Sequence, residues 1–391
     1  MKRISFLMLI LLTCFVLAAL PQAAASKYKI ITFDPTGYPG GGNAPYQGTQ
    51  APAINAAGAI AGFYSDSVNV YHAFVRGPDG SFTEFDAPDA GTQSVAGFVP
   101  TPMGVLGGQG TYATAMNDAG LITGFYVDIS NMLHGFLRTP DGTITEFDAP
   151  GVGHGYGLGT LPGNINAGGT IAGNYFDGYG VAHGFLLSPS WKFTVFDAVN
   201  AGKGPGQGTF TGWASCLTQT GLLTGWVIDA NNVAHGWLRV PGVGVTTFTF
   251  DAPGAGLAAG QGTYSWSVDV GGQLTGEVMD KLGVMHGFVR DVNGGFRLFD
   301  ARGAGKAAGQ GTVAEGINMH GVVVGNFVNV YGVQRGYKRS WGGGIQRFSV
   351  KAAGQGAGQG TIPLTNNAAG QTTGSYFDDN FVIHGFVISW Q

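Results

Sequence analysis

A glycine and a His-Gly-aromatic triplet stand ten residues apart in seven places along this chain, and the interval never changes. The triplet or a close variant begins at His72, His134, His183, His235, His286, Arg335 and His384. The matching glycines are Gly62, Gly124, Gly173, Gly225, Gly276, Gly325 and Gly374. Surface loops tolerate insertions, so an interval free of them in seven copies predicts a rigid hairpin.

Inside that hairpin the fourth residue after the glycine is Asp66, Asp128, Asp177, Asp229, Asp280, Asn329 or Asp378. Three further on lies Asn69, Asn131, Gly180, Asn232, Gly283, Gly332 or Phe381. Asp followed by Asn or Gly suits a tight turn containing a left-handed residue. The segments on either side, such as Ile-Thr-Gly-Phe-Tyr and Leu-His-Gly-Phe-Leu, are short, aromatic and aliphatic, and read as strands. A third strand ends at a Phe-Asp pair in most copies: Asp86, Asp148, Asp197, Asp251 and Asp300, with Ser349 in the sixth. A Gly-rich loop then closes on Gly-Thr, at Thr49, Thr111, Thr160, Thr209, Thr263, Thr312 and Thr361, and leads into a fourth strand. Four strands in about fifty residues is the size of a propeller blade and too long for one coil of a β-solenoid.

The two ends decide how such a repeat would close. The last copy stops at Trp390-Gln391 without a Phe-Asp strand, while Tyr28 to Asp34 is a Phe-Asp strand with no hairpin of its own. Pairing one with the other would cover both edges. The expectation is therefore an all-β chain, a single seven-bladed propeller over residues 26–391 with four short antiparallel strands per blade. Segment 26–37 completes the seventh blade.

Composition adds compartment and partner class. Glycine reaches 71 of 391 residues without a Gly-X-Y period, which excludes collagen and fits many tight turns. Residues 1–25 run from Lys2-Arg3 through an apolar stretch to Ala23-Ala24-Ala25, the pattern of a cleaved secretory leader. Thr13 is a poor residue before a lipidated cysteine, so anchoring through Cys14 is the lesser alternative. Loss of the leader removes two positive charges and no negative one, taking the formal charge from −4 to −6, which argues against a nucleic-acid partner. One cysteine, Cys216, remains, so no internal disulfide forms and stability rests on packing and strand pairing. No later run is long and apolar enough to span a bilayer. The expected product is a secreted monomer, extracellular or periplasmic.

The repeated elements carry a resemblance. His72-Ala73-Phe74, the recurring Ala-His-Gly-Phe and Phe-Asp-Ala-Pro, and the Ile-Asn-x-x-Gly ends look like the bacterial extracellular repeat family named for its His-Ala-Phe (HAF) triplet. The likeness covers essentially all of the chain after the leader. It implies an exported repeat protein and brings no catalytic residue or cofactor with it.

Six equivalent histidines invite comparison with a metal site, but one per blade around a ring cannot converge on a single ion. They read instead as structural, each bonded to a Phe-Asp carboxylate: His72 with Asp86, His134 with Asp148, His183 with Asp197, His235 with Asp251, His286 with Asp300, and His384 with Asp34. Pairing across the turn is expected to set His72 beside Phe85, with Asp86 on the diagonal. The sixth copy exchanges both partners at once, for Arg335 and Ser349. The Asp-x-x-Asn turns offer too few carboxylates for calcium, and the Gly-Gln-Gly-Thr loops lack the lysine of a phosphate loop. No metal or cofactor is expected.

Function is then sought where the copies disagree. One position of the fourth strand type changes in every copy: Pro52, Thr114, Gly163, Ser215, Trp266, Glu315 and Leu364. Tyr112, Phe210, Trp213, Tyr264 and Trp266 fall at equivalent places and form a candidate aromatic platform for sugars or peptides, with packing between blades as the alternative. His154 and Tyr156 in the second connection, and the long first connection from Asp89 to Gly110, are further candidates. Arg335, Lys338, Arg339, Arg347 and Lys351 make a basic patch for an anionic partner. The leading function is a non-enzymatic scaffold binding an extracellular glycan or protein. An extracellular carbohydrate-active lyase or hydrolase is the alternative, with Glu277 and Glu315 as the only carboxylates to nominate. A cell-surface structural or adhesion protein is the third class.

Overall fold

The computed structural model describes residues 28–35, 42–93, 99–101, 104–213, 215–242 and 247–390. The expected leader lies outside them. The described residues form strands and turns with no helix among them.

One antiparallel unit is used repeatedly. After β1 (Tyr28–Phe33) come β2 (Thr49–Ile54), β3 (Ile60–Ser65), β4 (Tyr71–Arg76) and β5 (Phe82–Phe85). Strand β2 pairs with β3, β3 with β4 and β4 with β5, all antiparallel. The same three pairings return in the following copies, as in Gly110–Met116, Ile122–Val127, Leu133–Arg138 and Ile144–Phe147. In the last copy the strand Ile383–Trp390 pairs on its free side with β1, from Tyr28 opposite Trp390 to Phe33 opposite Gly385.

The hairpin turn forms because Asp66 organises it: Oδ1 accepts hydrogen bonds from the backbone N–H groups of Val68 and Val70. Asn69 then takes φ 63°, the left-handed conformation Asn tolerates better than most residues. The fixed glycine follows from sterics. A Cβ on Gly124 would lie 1.9 Å from the carbonyl oxygen of Tyr112 and 3.0 Å from the ring of Phe136. That ring, the aromatic of the triplet, is wholly buried, as are Phe74, Phe185, Trp237, Phe288, Tyr337 and Phe386 at the same place in the other copies. Each such side chain contributes about 1.5–3 kcal/mol of burial, so the Gly-to-triplet interval encodes the unit's core contact.

Successive units join through the Gly of Gly-Thr. Gly110 forms a parallel bridge with Tyr71 at φ +115°, and a Cβ there would lie 2.0 Å from the Tyr71 carbonyl oxygen. Gly48 meets Ile383 in the same way, joining the last copy to the first. A second brace was not foreseen in the sequence. Arg138, at the end of one unit's third strand, stacks 4.6 Å over Phe85 of the preceding unit. Arg290 over Phe250 at 4.7 Å and Arg339 over Phe299 at 4.8 Å repeat it, and Arg76 over Phe33 at 4.9 Å carries it from the first unit to β1.

The expected register needs correction by one residue. Ala73, not His72, stands opposite Phe85, and Gly135 stands opposite Phe147. The His therefore comes level with the Asp that follows, directly across the ladder rather than on a diagonal.

Candidate functional site

The recurrent histidines are bonded as the sequence implies, and more tightly held. His134 Nδ1 lies 2.9 Å from Asp148 Oδ2, and the other five pairs span 2.7 to 2.9 Å, including His384 with Asp34 across the chain ends. What the sequence reading missed is the second carboxylate. His134 Nε2 faces Asp128 Oδ2 at 3.6 Å, and the other five histidines face their own turn aspartates at 3.5 to 3.8 Å. The turn Asp thus uses one oxygen for the backbone and turns the other to the imidazole. The Phe-Asp carboxylate is braced in turn: Thr160 Oγ1 donates to Asp148 Oδ1 at 3.0 Å, and Thr49 Oγ1 to Asp34 Oδ1 at 2.7 Å. The hydrogen bond to Asp148 raises the His134 pKa, outweighing partial burial, with the charges of Asp148 and Asp128 adding to it. His183 and His384 are raised for the same reasons. In the sixth unit Arg335 Nη1 donates to Ser349 Oγ at 3.3 Å, so the double exchange keeps a contact. All of this holds the hairpin to its neighbour strand and offers no open coordination position.

The position that varies between copies has a structural definition. It is a β-bulge: the ladder shifts register between Ala113 and Ala115, Pro162 and Asn164, Ser265 and Ser267, Ala314 and Gly316, and Pro363 and Thr365. Thr114, Gly163, Trp266, Glu315 and Leu364 are the extra residues, and Ser215 sits at φ 70°. A bulge leaves its residue out of the ladder and re-aims the side chain, so identity there is not constrained by pairing.

A second varying position faces it, and the sequence reading did not single it out. The residue after the fixed glycine lies against the bulge strand of the next unit. Asn174 Nδ2 donates to the Thr209 carbonyl at 2.9 Å, and Thr211 Oγ1 donates to Asn174 Oδ1 at 2.6 Å. Trp226 meets Trp266 with ring centroids 4.6 Å apart. In the fifth unit this residue is Glu277, and its neighbour in the sixth is the bulge residue Glu315.

That brings the two nominated carboxylates together. Glu277 is 8% exposed and accepts a hydrogen bond from Trp266 Nε1 at 3.2 Å. Burial pushes its carboxyl up to about 7, and the indole N–H offsets only part of the effect. Glu315 is pushed up to about 8 by burial and then by the charge of Glu277. Two interacting acids titrate as a pair, so near neutral pH the pair retains a proton. Tyr264, opposite Glu277 in the ladder, is raised to about 12 by burial and the same charge. Glu315 also borders a depression of about 660 Å³ with Val313, Asn326, Gln334, Ile362 and Met285. Asn326 Nδ2 donates to Gln334 Oε1 at 3.0 Å. No basic side chain lines this depression among the described residues. Such a surface, polar amides and an acid beside aliphatic side chains, suits a neutral polyhydroxyl or a cationic ligand, and the protonated acid can donate as well as accept.

The other candidates separate. Tyr112 and Phe210 are 3% exposed and stack on Phe125 and Trp226. The platform reading is corrected for these two, because packing between and within units uses both ring faces. Trp213 is half-buried against the same cluster. His154 and Tyr156 are exposed in a loop and line none of the depressions described here. The basic patch is also thinner than its sequence suggests, since Arg339 is buried over Phe299 and Lys338 lies 4.5 Å from the Trp390 ring. Of the long first connection, Val99–Thr101 pairs with Gly104–Leu106, while residues 94–98 and 102–103 lie outside the description.

At the opposite end of the bulge strands a second depression, of about 340 Å³, collects equivalent residues from all seven copies: Ile54, Met116, Ile165, Leu217, Val268, Ile317 and Asn366. Hydrogen bonds between copies rim it. Asn117 Nδ2 donates to the Asn166 carbonyl at 3.0 Å, and Asn367 Nδ2 to that of Asn55 at 2.9 Å.

No protein-family model and no curated protein matches the sequence. Among solved structures the chain is similar to the BP39L lectin from Burkholderia pseudomallei at 12% identity, covering 87% of this chain and 96% of that one, with a TM-score of 0.51. An Aleuria aurantia lectin mutant in complex with Fucalpha1-6GlcNAc is 15% identical over 77% of this chain and 94% of that one, at TM-score 0.41. Puromycin hydrolase is 13% identical over 86% of this chain and 51% of that one, at 0.49. At this identity the likeness to BP39L concerns the fold alone.

Proposed function

We propose that this chain is an exported glycan-binding scaffold of the HAF-repeat type, a monomeric seven-bladed propeller over residues 26–391 whose last blade is completed by segment 26–37. Three observations support the architecture: β1 on the final strand, Gly48 on Ile383, and one depression rimmed by all seven copies. The leader read in the sequence supports export.

The functional part rests on one observation. Glu315, Asn326 and Gln334 border one open depression at the fifth and sixth units, and Glu315 feels the charge of Glu277, which Trp266 holds by a hydrogen bond. Repetition is the default here, so departures that converge are where a ligand would be read. The fold-level likeness to a lectin agrees with a carbohydrate ligand. A glycan array probed with the protein lacking residues 1–25 tests the reading: a bound glycan should lose at least tenfold in affinity with Glu315→Gln or Trp266→Ala. Binding indifferent to both, or to every glycan presented, would count against it.

A second reading has its own support. Two neighbouring carboxyls raised to about 7 and about 8 are the condition for general acid and base work near neutral pH. If the chain is a carbohydrate-active enzyme, the bound glycan will be cleaved, and Glu277→Gln and Glu315→Gln will each abolish product release.

A further inference from the structure

A different depression, of about 230 Å³, lies between the fifth and sixth units at the end of the strands away from Glu315. Gln273, Asp291 and Arg297 reach it from the fifth unit, and Arg339 and Trp341 from the sixth. Two of these are departures from the repeat. Where most other copies place a proline in the turn (Pro78, Pro140, Pro189, Pro241), this one has Trp341. Arg297 replaces Thr83, Thr145 and Thr194, while Gln273 shares its place with Gln371 of the seventh unit.

Trp341 is 64% exposed, with its ring edge over Gly321, where a Cβ would approach the indole to 2.7 Å. An indole left this open gains nothing from the core and presents a flat apolar face. Arg339 is only 6% exposed and stacks over Phe299; like Arg76, Arg138, Arg239 and Arg290 at the same place in other units, it leaves Nε without a hydrogen-bond partner, and its Nη1 reaches the Ser340 carbonyl at 3.4 Å. Its pKa is lowered by burial and further by the like charge of Arg297. Asp291 is committed to its own turn through Oδ1, which accepts from the N–H groups of Asn293 and Gly295 at 2.9 Å. Two guanidinium groups therefore face one carboxylate across the depression, and the local balance is positive on a chain of net negative charge.

We infer that this depression binds an anionic sugar unit, carboxylated or sulfated, with its ring stacked on Trp341 and its acid group held by Arg297 and Arg339. An anion relieves the repulsion between the two guanidiniums and suits their forked donors, while a pyranose presents C–H groups to the indole face. Gln273 is placed to bond a ring hydroxyl. The inference rests on the glycan-binding reading but uses a separate site, so the two can fail independently.

The test is calorimetric titration of the protein lacking residues 1–25 with three probes: oligogalacturonate, a dextran sulfate oligomer and neutral dextran of matched length. At least one acidic probe should bind, with affinity falling as salt rises, and neutral dextran should not compete with it. Trp341→Ala and Arg297→Gln should each weaken that binding tenfold or more. Trp341 is exposed, so its variant should melt like the parent, and a matching melting curve shows that lost binding is not lost folding. Acidic and neutral probes binding alike, or acidic binding unchanged in both variants, would overturn the inference. A neutral glycan bound and lost in Glu315→Gln, with neither acidic probe bound, would sink this site and leave the first reading standing. No binding to any glycan would sink both.

Discussion

At the level of single residues, the histidine of each triplet is better described as clasped than as paired. His134 donates a hydrogen bond through Nδ1 to the Asp148 carboxylate and turns its other ring nitrogen to the carboxylate of Asp128. Its pKa is raised, so protonation of the ring favours the native state. The sign follows from linkage: a raised histidine stabilises fully below its unfolded value of about 6.5, and the contribution fades as pH climbs through the folded value. Asp148→Ala should cost about 1 kcal/mol at pH 6, a modest figure because the carboxylate is 39% exposed. His134→Ala made first should absorb most of that loss, and additive losses would contradict the coupling. An NMR titration supplies the direct check: the His134 ring should titrate above its ordinary value, and lower in Asp148→Asn.

At the level of strands and turns, the sequence was most legible where geometry forbids variation. The Gly124 and Gly110 positions admit no side chain, and the Asp66 turn fixes its own hydrogen bonds, so spacing alone reported them. The one-residue error in placing Phe85 shows the limit, since register depends on turn geometry that composition does not specify. The Arg138 and Phe85 stack was invisible for another reason. It joins residues of different units, and no local pattern reports which units touch. Arg138→Ala should cost about 1–2 kcal/mol through lost ring contact and stem packing, with Arg138→Met recovering the packing part. Chemical denaturation of the two variants measures the split.

The Glu277 and Glu315 pair was nominated from sequence, but its proximity comes from the bulge and the neighbouring unit together. Acids raised by burial stabilise below their unfolded value, near 4.5, and lose that contribution as pH rises through about 7 and about 8. Glu315→Gln removes one buried charge and the repulsion on the other. Its melting temperature should therefore fall less than the parent's between pH 6 and pH 9, with a gap of a few degrees at the upper end. Parallel melting curves for the two proteins across that range would mean that the carboxyls ionise freely in solvent.

For the whole molecule, the chain ends carry the strongest claim about architecture. His384 bonded to Asp34 and β1 paired along Ile383–Trp390 place 350 residues of sequence between partners in one sheet. Deleting Ser26 to Gly37 removes a strand, the Asp34 partner of His384 and the Phe33 face under Arg76. A drop of ten degrees or more in melting temperature is expected, and a truncated protein that melts like the intact one would refute the composite unit. Function was legible only in outline. The sequence pointed to places where copies differ, and the structure separated those that pack, Tyr112 and Phe210, from Glu315, which borders open space.

The account as a whole holds that repetition builds the scaffold and departure from it reads the ligand. Glycan affinity measured side by side for His134→Ala and Trp266→Ala, at a temperature where both are folded, tests that division directly. The prediction is that His134→Ala lowers the melting temperature and binds like the parent, whereas Trp266→Ala loses at least tenfold in affinity. Affinity lost with the histidine and kept with the tryptophan would contradict it.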